Sequence, residues 1–200
     1  MLGATHQRLV YGRRIRVLTG HLADVLPRNA QVLDVGSGDG LLARRVMDLR
    51  PDLSIRGVDV LARPTSHIPV MIFDGVTLPF PDRSFDAVMM VDVLHHASQQ
   101  DALLAEMARV TRGVVVIKDH LVQGPLAHPT LRFMDWVGNV RHGVALPYAY
   151  WSRDRWEHAF AAARLRVTHW RGALGLYPFP ANLVFDRHLH FVSVLERRAS

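Results

Sequence analysis

The sequence predicts an α/β fold, a doubly wound and mostly parallel sheet of seven strands with helices on both faces. Two observations predict it. From residue 31 onward, short β-rich runs alternate with helical stretches, the pattern of parallel strands joined by crossovers. The first of these runs ends in a glycine-rich turn that leads directly into a helix. A chain of 200 residues, 49% of them hydrophobic, is the size of one domain and can bury a sizeable core.

Taken in order, residues 6–26 read as one amphipathic helix. Leu9, Ile15, Val17, Leu18, Leu22, Val25 and Leu26 are spaced for one face, Arg8, Arg13, Arg14 and Arg16 lie elsewhere, and Pro27 closes the helix. Strands follow at 31–35, 54–59, 69–73, 86–91 and 113–118, with helices at 39–49 and 98–110, the second opened by Ser98 as N-cap. From 120 to 150 the period is lost. Pro125, Pro129 and Pro147 punctuate this stretch and Phe133, Trp136 and Tyr148 add aromatic bulk, so it reads as a long functional loop. A helix at 153–163 capped by Ser152 and strands at 165–170 and 189–195 complete the series. The last two strands are separated by a Gly-, Pro- and aromatic-rich loop at 171–188. There is no internal repeat and no linker, so 1–200 is read as a single domain.

Composition removes several classes of function. With no cysteine there is no disulfide, thiolate metal site or cysteine nucleophile. No apolar run approaches the ~18 residues of a membrane span, and Met1 to Gln7 lacks the apolar core of a secretory signal, so the expected location is cytoplasmic. The net charge of +6 rests on 23 arginines and one lysine, Lys118. Residues 1–28 hold five Arg and one Asp, whereas 29–100 hold six Arg and nine Asp. The basic excess therefore lies outside the glycine-turn segment. It reads as a solvated surface that also suits an anionic substrate or peripheral membrane contact, more than as a nucleic-acid footprint.

The sharpest motif is VLDVGSGDG at 32–40, where a strand ends near Asp34 and Gly36, Gly38 and Gly40 turn the chain into a helix. Glycines let a ligand approach the backbone, and the crevice beyond the first strand of such a sheet is the expected ligand site. Leu41 stands where a dinucleotide fingerprint needs a third small residue, and the Gly-Lys-Ser/Thr ending of a P-loop is absent. Asp59 follows 21 residues after Gly38 at a strand end, where a carboxylate can accept hydrogen bonds from a ribose diol.

This run resembles motif I of the class I S-adenosylmethionine-dependent methyltransferases. Three further pieces agree in order: GVDV at 57–60, the pair Asp74-Gly75, and LPFPDRSFDAVMMVDVLHH at 78–96. The last is similar to the small-molecule branch that includes ubiquinone/menaquinone-type enzymes. The resemblance covers about residues 30–120, and the flanks fit only as topology. It implies a Rossmann-like sheet with an antiparallel last strand, a cofactor-binding core at 30–120, a cap helix at 1–28, and substrate-shaping insertions at 120–150 and 171–188. It also implies S-adenosylmethionine as cofactor, S-adenosylhomocysteine as product, and a small acceptor methylated at oxygen or carbon.

Residue by residue, the resemblance implies that Gly36, Ser37, Gly38 and Gly40 lie against the methionine part, with Asp34 near its ammonium. Asp59 would take the ribose hydroxyls, Val60 and Leu61 would flank the adenine, Asp74 would accept from its amino group with the Gly75 amide nearby, and Asp92 would face the methionine or the acceptor. His95 and His96 leave the fourth strand at the ligand edge as candidate bases, with His96 the better match to the family's V-L-H-H turn. Asp119, His120, Trp136, Tyr148, Tyr150 and Trp151 are candidate acceptor contacts, with Tyr177 and Phe179 on the second insertion. Each also has a plainer role as a turn cap or core residue. No H-E-x-x-H motif is present, so no metal is expected. Methylation of rRNA or another nucleic acid, and a catalytically idle cofactor-binding protein, stand as rival readings. The expected assembly is a monomer or homodimer.

Overall fold

The computed structural model describes residues 2–139 and 148–198. Helix α1 (Leu2–Val25) precedes β1 (Gln31–Val35), α2 (Leu41–Leu49), β2 (Ser54–Asp59), β3 (Val70–Ile72) and β4 (Phe85–Val91). A single 3-10 turn at Leu94–His96 leads to α3 (Gln100–Val110) and the long β5 (Thr111–His120). Then come α4 (Ala127–Asn139), α5 (Arg153–Ala162), β6 (Leu165–Arg171), the one-turn α6 (Asn182–Phe185) and β7 (His190–Arg197).

The seven strands form one sheet in the order β3-β2-β1-β4-β5-β7-β6. The pairs from β3 through β5 are parallel, and β7 runs antiparallel to both β5 and β6. The expected sheet, with its antiparallel last strand, is therefore observed. Its direction of progression reverses between β1 and β4, which opens a crevice at their carboxyl ends.

Strand side chains alternate between two cores. On one face Leu33, Val35, Val88, Met90, Val115 and Ile117 pack against α3 and α5, and on the other Val32, Ala87, Met89 and Val116 pack against α1 and α2. In α1 the anchors are Leu18 and Leu22, both buried, while the side chain of Leu9 lies outside the described residues. Leu22→Ala is expected to cost about 2–5 kcal/mol, read as a lower urea midpoint at unchanged slope.

Several boundaries differ from expectation. Helix α3 is flanked by Gln99, which makes no side-chain cap, so Ser98 does not cap it. Ser152 does cap α5, accepting from the Arg155 amide. The segment read as a loop at 120–150 contains a 13-residue helix, α4, with Pro129 in its first turn, where a missing amide costs nothing. Pro147 lies outside the described residues. The loop at 171–188 holds the single turn of α6.

Candidate functional site

The turn after β1 is built on left-handed backbone. Gly36 has φ 74° and a Cβ there would sit 2.4 Å from Val93, so no larger residue fits. Gly38, at φ 60°, faces open space. Its amide donates to Asp59 Oδ2 at 2.8 Å, and the Leu61 amide donates to Asp59 Oδ1 at 2.9 Å. Asp59 thus ties the glycine turn to the end of β2 and keeps a further lone pair on each oxygen.

Asp34 sits beneath this turn. Burial, with the nearby Asp59 charge, raises its carboxyl to about 7, and among the described residues no donor bonds it. Ser37 Oγ is likewise buried without a partner among the described residues. Val60 and Leu61 are exposed, and Gly75 lies against Val60, where an added Cβ would stand 3.1 Å from Val60 Cγ1. Asp74 caps its own turn, with Oδ1 accepting from the Val76 and Thr77 amides at 2.8 and 2.7 Å. The open side of Gly38, the unsatisfied Asp34 and Ser37, and the apolar Val60–Leu61 shelf together fit a nucleoside with a cationic tail.

The neighbouring carboxyl ends of β4 and β5 carry a dense polar cluster. Alternation along β5 sends Lys118 to the α1 face, after Val116, and Asp119 to the opposite face, after Ile117. On the α1 face Lys118 pairs with Asp92, which also pairs with Arg14 of α1, and Arg14 donates to the Tyr177 hydroxyl at 3.1 Å. Burial favours the neutral form of Asp92, but Lys118, Arg14 and His120 outweigh it and hold its carboxyl well below the usual range. Burial brings Lys118 down to about 8 against the pull of Asp92. Asp92 itself has φ 57°, an uncommon conformation for a non-glycine residue.

On the other face Asp119 is fully buried. Its Oδ1 lies 2.6 Å from His95 Nδ1 and accepts from the His120 amide at 2.7 Å, while Oδ2 accepts from the Leu94 amide at 3.1 Å. His95 Nε2 stands 3.4 Å from Asp135 of α4, whose other oxygen accepts from the Tyr150 hydroxyl at 2.6 Å. Burial opposes a charge on His95, yet Asp119 and Asp135 outweigh it and push the imidazole up to about 10. Burial and the His95 charge together push His120 down to about 4. At neutral pH the cluster therefore holds one imidazolium, His95, and one neutral imidazole, His120. The His96 ring lies 4.0 Å from that of His95 and is only partly buried.

Two overlapping triads here, His95/Asp119/His120 and His95/His96/Asp135, gather ligand atoms within 4.8 Å of one another. His95 Nδ1 is already committed to Asp119, so an ion in the first triad would have to displace the proton they share.

The structure thus brings Asp34, Ser37, Gly36, Gly38, Gly40 and Asp59 together, and separately joins Asp92, His95, His96, Asp119, His120 and Tyr150. Tyr148 lies under the Arg132 guanidinium at 4.6 Å. Two expected acceptor contacts fall elsewhere. Trp151 is in the core against Trp156, at 4.8 Å between rings, because it leads into α5 on that helix's buried side. Trp136 lies on the outer face of α4 and is 53% exposed. Arg14, Lys118, Asp135 and His190 were not anticipated. Only Lys118, the single lysine of the chain, set in an apolar strand, gave a signal.

Residues 33–117 match the family described as "Methyltransferase domain". The chain is 28% identical over 161 residues to a ubiquinone/menaquinone biosynthesis C-methyltransferase of Cupriavidus necator, covering 71% of this chain and 66% of that relative. Among solved structures it is similar to a methyltransferase in complex with the Trm112 activator of Haloferax volcanii, at TM-score 0.73 and 19% identity over 95% of this chain and 94% of the other. It is also similar to the 1,6-didemethyltoxoflavin-N1-methyltransferase of Burkholderia thailandensis, which holds S-adenosylhomocysteine, at TM-score 0.65 and 17% identity over 93% and 79%. The chain spans 60–66% of the length of the first three curated relatives.

Proposed function

We propose that the chain is a class I S-adenosylmethionine-dependent methyltransferase, transferring the methyl group of S-adenosylmethionine to an oxygen or carbon of a small aromatic or lipophilic acceptor, a reading supported by the methyltransferase-domain match over 33–117 and by the relatives. The observation that carries this reading is the buried His95–Asp119–His120–Asp135–Tyr150 cluster beside the glycine turn, a proton-holding network where an acceptor hydroxyl or acidic carbon would lie.

Asp34, Ser37 and the Gly36–Gly40 turn would hold the methionine part, Asp59 the ribose, and Val60, Leu61, Asp74 and Gly75 the adenine. When bound, the cofactor supplies an electrophilic methyl on a sulfonium. The protein's part is then to place the acceptor in line, exclude water and take a proton where one must leave. His95 is held charged and does not serve as a base near neutral pH; it stabilises negative charge developing on the acceptor. His96, beside it and more accessible, is assigned the proton. Asp92 organises the buried Lys118 and the partly buried Arg14.

The test is titration calorimetry with S-adenosylmethionine and S-adenosylhomocysteine, followed by a screen of quinols, phenols and acyl acids for S-adenosylhomocysteine release. Micromolar binding of both cofactor forms with turnover of one of these classes supports the reading, and binding without turnover across the panel overturns the acceptor class. His96→Ala is expected to lower kcat about 10²-fold or more with cofactor affinity unchanged. Adding EDTA is expected to leave turnover unaltered, because the cluster works through protons and not through an ion.

A further inference from the structure

Helix α4 has two chemically opposed faces. Its inner face carries Asp135 into the buried cluster, while Phe133 and Trp136 stand outside, each more than half exposed. Seven of the twelve large apolar side chains found exposed among the described residues belong to α4, α6 and the residues leading into them: Leu126, Phe133, Trp136, Val137, Phe179, Leu183 and Val184. The two helices adjoin. The Phe133 ring lies 6.4 Å from both Trp136 and Phe185, stacked on the latter at 15°, and Arg187 donates to Thr130 Oγ1 at 3.4 Å.

Among the described residues, charge on this face has one sign. Arg132 and Arg187 are exposed, whereas the acids of the same segments are occupied: Asp135 is buried with Tyr150, and Asp186 accepts from the Leu176 and Tyr177 amides. Arg187 and His188 also line a cavity of about 280 Å3 with Gln123, Gly124, Pro125 and Leu189, next to the apolar residues. At 13 residues α4 is too short to cross a membrane, and no helix among the described residues is long and apolar enough to do so. An exposed Trp and Phe beside arginines, with no free carboxylate among the described residues, matches a helix lying in the plane of a membrane interface.

We propose that the face formed by α4 and α6 docks on an anionic lipid bilayer, with Phe133, Trp136, Leu183 and Val184 entering the acyl boundary. Arg132 and Arg187 take lipid phosphates, Arg187 from the rim of its cavity. Docking there sets the outer side of α4 in lipid and its inner side in the polar cluster. The docking does not depend on methyl transfer, so it stands or falls separately from the proposed activity.

The test is flotation of the intact chain with phosphatidylcholine vesicles, with and without phosphatidylglycerol. Expected is at least about ten-fold stronger partition onto the anionic vesicles, weakened by salt and accompanied by a blue shift of tryptophan emission that Trp136→Phe abolishes. Phe133→Ser with Leu183→Ser should reduce partition about ten-fold or more, and Arg132→Glu with Arg187→Glu should remove the preference for anionic lipid, while thermal melts of both pairs stay within a few degrees of wild type. Equal binding to both vesicles, no binding to either, or binding indifferent to the Phe133/Leu183 pair would overturn the proposal. So would light scattering showing a dimer that the same pair dissociates, since a second copy would then be the occupant. Binding of free glycerol phosphate without vesicle binding would also overturn it, leaving only an anion site at Arg187.

Discussion

Asp119→Asn is expected to destabilise the protein by about 3–5 kcal/mol, the range found when one partner of a buried pair is removed. Asp119 is the acceptor for three groups at once, the His95 imidazole and the Leu94 and His120 amides, all inside the protein. The amide keeps the shape of the side chain but cannot balance the His95 charge, and its NH2 group would face donors. The pH dependence is distinctive. His95 is raised to about 10 when folded, so its contribution is complete below its unfolded value and is lost as pH rises through about 10. Asp119 is lowered on folding, despite burial, mainly by His95, so its contribution is present above the usual carboxylate value and lost in acid. The gap between wild type and variant should therefore be widest near pH 5–6 and narrow steadily toward pH 10. Urea midpoints across that range check it; a gap constant with pH would mean that the His95–Asp119 pair is not ionised in the folded protein.

Asp59→Ala is expected to raise the Kd for S-adenosylmethionine about 10- to 100-fold, or roughly 1.5–3 kcal/mol, by calorimetry. Beyond any bonds to ribose, Asp59 fixes the amides of Gly38 and Leu61, so its loss also frees the turn that shapes the site. A linked effect follows at Asp34, raised to about 7 by burial and then by Asp59. A raised carboxylate favours the folded state in its neutral form, and that contribution fades as pH climbs through about 7. Removing Asp59 takes away the second cause, so the pH at which Asp34 ionises should fall. If Asp34 holds the ammonium as proposed, cofactor affinity gains from its ionisation and should then level off at lower pH in Asp59→Ala than in wild type. Affinity unchanged by the substitution would remove Asp59 from the site.

The core of the fold was legible because its signals are local. Val88–Val91 and Val114–Ile117 are apolar runs of strand length, Val32–Val35 is one broken only by Asp34, and three glycines within five residues admit few structures other than a tight turn. The turn carboxylates Asp34 and Asp59 were legible for the same reason. Helix α4 was not, since Pro129 reads as punctuation until the start of the helix is known, and its inward face mixes the buried Ala127 and Leu131 with a buried acid, Asp135, which breaks the apolar period. The charged half of the site was hidden by distance. Arg14 meets Asp92 across 78 positions and Lys118 meets His190 across 72, and no spacing in the sequence encodes such pairs. Trp136 and Trp151 were both read as acceptor contacts, but only the facing of their backbone decides that one looks outward and the other into the core.

The place of β7 has a consequence for how the chain is made. β6 leaves the ribosome before β7, yet among the described residues its sole partner in the sheet is β7, which also closes the exposed edge of β5. Until β7 is synthesised, β5 presents an open row of amides and carbonyls, and β6 has nothing to pair with. Vectorial synthesis can therefore assemble β1 to β5 early, while the outer third of the sheet locks in one late step. In a nascent chain stalled before β7, protease sensitivity should concentrate at β6 and α5 while the glycine-turn half is already protected.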